Sequence, residues 1–193
     1  MDLLGTGRDT RTLIFILLIA ALLEAGPNSS AQTIAAREYQ IKAVFLFNFA
    51  EFVDWPPRAF EDAQSPLVIG VLGDDPFGTS LDEAVRDEKV NNRPLVIRRF
   101  QRVEDVTTCH ILFLGLTEPE QLEKALAGLK GRSILTVSDA DDFSRLGGMI
   151  RFVMENNRIH LKINLGAAKE AGLTISSKLL RPAEIVSMRR IGS

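Results

Sequence analysis

The sequence predicts one α/β domain: a mostly parallel open sheet of the receiver or flavodoxin kind, flanked by helices, with a C-terminal edge hairpin. Three observations predict it. Short unbroken apolar runs recur along the middle of the chain, at Pro66–Leu72, Leu95–Phe100, His110–Leu114 and Ile134–Val137. Helical segments separate them, and continuous apolar strands alternating with helices indicate a parallel sheet covered on both faces. The last third breaks this rhythm with Met149–Met154 and Arg158–Ile163, two strands joined by the polar turn Glu155-Asn156-Asn157.

Each element follows from local pattern. Residues 1–31 read as a secretory signal peptide. Arg8 and Arg11 precede an apolar run of 11 residues, Leu13 to Leu23, and Ser29, Ser30 and Ala31 supply small residues for cleavage. Spanning a bilayer takes roughly 20 apolar residues, so the run is too short for an anchor. Cleavage after Ala31 leaves residues 32–193 as the mature domain in the periplasm, with no membrane insertion. It opens with a helix from Ile34 to Val53, whose Leu46, Phe49 and Val53 form an apolar stripe. The pair Pro56-Pro57 stops it, because proline cannot continue a helix. Phe45, Phe47, Phe49 and Phe52 give this helix more apolar surface than one sheet face needs, and a homodimer is expected.

Further helices are predicted over Phe77–Arg86, Glu118–Leu129, Asn164–Ala171 and Ser177–Val186. A brief helical turn falls near Val103–Val106, and Gly172 is placed as a C′ residue. In Arg158–Ile163, basic residues alternate with Ile159, Leu161 and Ile163, so one face is wet and the other dry.

Composition excludes several functions. The formal net charge is −2, and removing residues 1–31 leaves the chain near neutral with no basic block, so nothing marks a nucleic-acid footprint. Cys109 is the only cysteine, which forbids an intramolecular disulfide, and its place at a core strand predicts a packed thiol. Only His110 and His160 exist, no metalloprotease, CxxC or nucleophile-elbow motif is present, and no phosphate-cradling glycine loop appears. Ser176-Ser177 lacks a general base in sequence and reads as a helix cap. The chain is expected to be no enzyme and to hold no cofactor or metal.

Two sets of residues remain as candidate sites. Asp74 and Asp75 follow the first strand, and Asp139, Asp141 and Asp142 follow the fourth. That rim is where open parallel sheets place their ligand crevice, so Asp74, Asp75 and Asp139 mark a possible crevice. A divalent cation is one reading of this cluster; turn formation by Asp75-Pro76 and capping by Asp141 or Asp142 is the plainer one. The second set is Arg151, Arg158, His160 and Lys162 on the hairpin's polar face, with Trp55 added, as a surface for an acidic partner.

Several runs carry a family resemblance. Glu38–Pro56, Cys109–Leu114, Gly147–Val153, Asn157–Asn164 and Ala171–Leu180 are similar to the YfiR family, in order and across the mature chain. The resemblance implies a periplasmic α/β regulator. Such a protein restrains a membrane-bound signalling receptor, a diguanylate cyclase in known members, by binding its periplasmic sensor domain, and so controls cyclic di-GMP and biofilm formation. Well-known members carry stabilising cysteine pairs; this chain departs from them with Cys109 alone. Against this interaction protein stand a small-ligand-binding module at the strand-end crevice and a hydrolase, the latter lacking nucleophile and base.

Overall fold

The computed structural model describes residues 28–186, with side chains from residue 33 onward. The chain divides into two compact units, residues 1–37 and 38–193. Of the expected signal peptide, residues 1–27 lie outside the described residues.

Helix α1 (Asn28–Phe52) opens the described chain. In the second unit Lys42, Ala43, Leu46, Phe49 and Ala50 are buried, three to four residues apart, so one stripe faces the core. The chain then straightens into β1 (Val53–Asp54), since Pro56 disfavours helical geometry in the residue before it.

The main sheet contains β2 (Leu67–Gly73), β3 (Lys89–Val90), β4 (Arg93–Phe100), β5 (Ile111–Gly115), β6 (Leu135–Ser138), β7 (Ile150–Glu155), β8 (Arg158–Asn164) and β10 (Glu184–Val186). Their order is β10-β8-β7-β6-β5-β2-β4-β3. The pairs β4–β2, β2–β5, β5–β6 and β6–β7 are parallel, while β7–β8 and β4–β3 are antiparallel. Numbered among themselves, the parallel strands run 2-1-3-4-5, the flavodoxin-like order. The short strand β9 (Thr174–Ile175) pairs instead with β1.

Alternate residues of each strand feed two cores. Ile69 and Val71 of β2 with Ile111 and Phe113 of β5 face α1, α2 (Ser80–Val85) and α4 (Leu165–Glu170). Leu72, Leu112 and Leu114 face α3 (Pro119–Leu129), whose Leu122, Ala125 and Leu129 are buried. Helix α4 closes as expected at Gly172 (φ 75°): its N–H donates to Lys169 O and that of Leu173 to Ala168 O.

Two expectations change. Ser177–Val186 is not one helix. Only α5 (Ser177–Leu180) forms, and after Pro182, which cannot donate a helical hydrogen bond, Glu184–Val186 joins the sheet as β10. For the same reason β8 is only half an edge strand. β10 covers its Lys162–Asn164 end, leaving Arg158–Leu161 unpaired on the outer side. At the far edge, β3 and β4 make a second hairpin through Asn91-Asn92 (φ 51° and 65°), within a stretch read as loop. Its geometry repeats the Asn156-Asn157 turn of β7–β8 (φ 50° and 60°), the doubly positive conformation that matches strand twist.

Candidate functional site

The carboxyl ends of the parallel strands carry the acidic residues, as expected, and the carboxylates of Asp75, Asp139, Asp141 and Asp142 are engaged while that of Asp74 is exposed. Asp75 takes the Phe77 N–H on Oδ1, the turn-starter role, and its Oδ2 accepts from Arg99 Nε at 2.6 Å. Arg99 also reaches Asp82 at 2.6 Å, so the hydrogen bond from Arg99 holds the Asp82 carboxyl below the usual range. The Asp74 N–H donates to Gly115 O at 3.1 Å. A side chain at Gly115 would lie 2.0 Å from Asp74 O. The switch point between β2 and β5, where such folds usually open a ligand crevice, is therefore closed by backbone meeting backbone.

Asp139 lies at the centre of a network that sequence reasoning missed. Lys42, only 3% exposed, donates to Asp139 Oδ2 at 2.6 Å and pairs with Glu38 at 2.6 Å. Tyr39 O–H donates to the same Asp139 oxygen at 2.8 Å, and the Lys42 ammonium stands 4.3 Å from the Tyr39 ring. Burial, and then the hydrogen bond to Asp139, raise the Tyr39 pKa well above its ordinary value. A buried lysine needs this pairing, because an unpaired interior charge costs on the order of several kcal/mol of lost hydration. The signal was present: Lys42 stands in the apolar stripe Tyr39, Leu46, Phe49, where a charge must find a partner.

On the hairpin, Arg151, His160, Lys162 and Arg158 share one face, as alternation required. The register pairs Arg151 with Lys162, Val153 with His160 and Glu155 with Arg158. The four are not equally available. Arg151 forms an ion pair with Asp141, and Lys162 pairs with Glu184 of β10 at 3.1 Å. Arg158 and His160 are exposed, and neither forms an ion pair among the described residues. Arg151 and Asp139, from the two expected sets, meet in a cavity of 360 Å³ that Lys42 and Met154 also line.

Trp55 belongs to neither set by position. Its indole N–H donates to His110 O at 3.1 Å, at the amino end of β5 and away from the acidic rim. His110 is the fixed point there. Its Nδ1 accepts the Val68 N–H at 3.0 Å, which places the ring proton on Nε2, facing Ala59 O at 3.1 Å. Phe60 stacks on the ring with centroids 4.4 Å apart. Burial is the main cause lowering the His110 pKa. Cys109 is packed, and desolvation pushes its thiol up to about 12, which leaves it protonated and unreactive at neutral pH. Ser176 caps α5 by accepting the Lys178 N–H.

Among the described residues, no group of three or more metal-ligating side chains is placed to hold a metal ion, and no helix is long and apolar enough to cross a membrane. The described residues form an α/β domain with a flavodoxin-like order of parallel strands, and most acidic side chains at its carboxyl rim are engaged in ion pairs and hydrogen bonds. The chain belongs to the YfiR/HmsC-like family, whose model matches residues 39–184. That family is regulatory rather than catalytic, and a general regulatory role follows for this chain.

Proposed function

We propose that the protein is a periplasmic repressor that binds the periplasmic sensor domain of an inner-membrane signalling receptor, a diguanylate cyclase, and thereby controls cyclic di-GMP signalling and biofilm formation. The reading takes its class from the family and its surface from one observation. The outer side of the β7–β8 hairpin presents Arg158 and His160 exposed and uncommitted, beside a strand edge whose Arg158–Leu161 half is unpaired. Free backbone groups beside a cation favour strand addition by an acidic segment.

A signal peptide over residues 1–31 supplies the route to the periplasm and is then removed. The mature protein is a homodimer in this reading, supported by Ile41 and Val44 of α1, which are 47% and 50% exposed. Phe45, Phe47 and Phe52 lend less to it, being half-buried against the core.

The test is titration of the mature protein against the purified periplasmic domain of a cyclase encoded beside it. Arg158→Glu/His160→Glu is the informative variant, since Arg151 and Lys162 are held by Asp141 and Glu184. Binding should weaken at least about tenfold, the effect of about 1.4 kcal/mol, with thermal unfolding unchanged. Undiminished affinity moves the interface away from the hairpin.

A further inference from the structure

The amino ends of the parallel strands hold two chambers that adjoin. One, of 280 Å³, is lined chiefly by apolar side chains, among them Leu126, Leu129, Ile134, Met149 and Ala171. It exists because β6 and β7 pair only at Val137–Ile150 and Ser138–Arg151. Below that point β7 has not begun, Met149 N–H bonds the Thr136 hydroxyl instead of β6 backbone, and small residues of α4, Ala167 among them, line the space. Glu123, Lys130 and Glu170 also border this chamber and are exposed. The other chamber, of 350 Å³, is polar and includes Arg58, Arg132, Glu61, Thr108 and Ser133. Gly131, Arg132 and Ile134 line both, so Arg132 stands at the junction.

Arg132 is held by backbone rather than by a carboxylate, and Arg58 stands exposed beside Gly172. Arg132 Nη2 donates to Thr107 O at 2.7 Å. The Arg58 guanidinium rests so close to Gly172 that a Cβ there would lie 2.9 Å from its Nη2. Neither forms an ion pair among the described residues, and Glu61, the one carboxylate of the chamber, is outside ion-pair distance of both. A guanidinium held in place with its charge uncompensated, as Arg132 is, is preorganised for a carboxylate or phosphate, which it binds by paired charge-assisted hydrogen bonds, and Arg58 adds a second cation to the same chamber. Ligand pockets usually enclose about 300–1,000 Å³, mostly apolar with a few placed polar groups, and the paired chambers fit that description.

We propose that this cleft binds a small amphiphilic anion, its acidic head between Arg58 and Arg132 and its apolar tail against Leu129, Ile134 and Met149. The proposal is independent of the hairpin surface, which lies at the opposite end of the strands.

Calorimetric titration of the folded chain with octanoate tests it, with acetate, inorganic phosphate and octanol as separate arms. Octanoate should bind saturably, and acetate, phosphate and octanol each at least about tenfold more weakly, because each lacks one half of the ligand. Arg132→Ala should weaken octanoate binding at least about tenfold, and Arg58→Ala several-fold, with Arg98→Ala, an exposed arginine outside the cleft, unchanged. Arg58 carries no side-chain hydrogen bond, so its variant keeps the test valid should Arg132→Ala fail to fold. No saturable octanoate binding, acetate or phosphate equal to octanoate, or octanoate affinity indifferent to Arg58→Ala in the folded variant would each overturn the proposal.

Discussion

The two ends of the parallel sheet solve the same problem differently. At the carboxyl ends of the strands, charge is abundant and paired: Lys42 with Glu38 and Asp139, Arg99 with Asp75 and Asp82, Arg151 with Asp141. At the amino ends the fixed element is a neutral ring, His110, with both nitrogens hydrogen-bonded and aromatic groups on either side. Folds of this order commonly bind ligands at the carboxyl ends. Here the Asp74–Gly115 contact closes the switch point and most carboxylates of that rim are paired, while Arg58 and Arg132 at the other end form no ion pair among the described residues. Which charges the fold has already neutralised, as well as strand order, therefore bears on where a ligand site can lie.

Four variants break or sharpen this contrast. Lys42→Ala has the largest effect, about 3 kcal/mol of stability by urea unfolding, since removing one partner of a buried pair leaves its carboxylates uncompensated. In the double variant with Asp139→Ala the loss should be smaller than the sum of the single losses, which identifies the pair as coupled. Gly115→Ala comes next, at about 2 kcal/mol, because a Cβ 2.0 Å from Asp74 O forces two backbones apart. A loss under a few tenths would mean that the crevice opens freely.

On the amino side the effects are smaller. Trp55→Phe keeps the ring and removes the hydrogen bond to His110 O, for about 1 kcal/mol. The smallest is the pH response of His110. Its pKa is lowered by folding from 6.5, so below that value the unfolded chain binds more protons than the folded one. Stability is therefore complete above about pH 6.5 and falls as pH drops towards and through the folded pKa. Protonation at Nδ1 would break the bond from Val68 N–H. His110→Gln should flatten the Tm profile between pH 7 and 5; an unchanged slope assigns the response to other groups.

The sequence carried the element plan because period-2 and continuous apolar runs report burial directly. β2, β4, β5, β6 and the β7–β8 hairpin lie where those runs placed them. It missed β1, β3, β9 and β10, strands of two or three residues. Elements so short have too few alternations to show a period, although the Asn91-Asn92 pair is the same turn signal that Asn156-Asn157 supplied. Shared faces were also legible: alternation alone puts Arg158, His160 and Lys162 together, and the hairpin register adds Arg151.

Which of those residues is free was decided only by tertiary structure. Asp141 and Glu184 neutralise Arg151 and Lys162 from segments 10 and 22 residues away in sequence, and Asp139 meets Lys42 across 97 residues. The sequence by itself determined that the chain forms an α/β domain with a basic hairpin face and an acidic strand rim, since propensity and periodicity act within a few residues. The tertiary structure decided which charges are neutralised, that the β2–β5 switch point is closed, and that Arg132 stands between an apolar and a polar chamber. Electrostatic pairing and cavity shape depend on distances that only the folded chain sets.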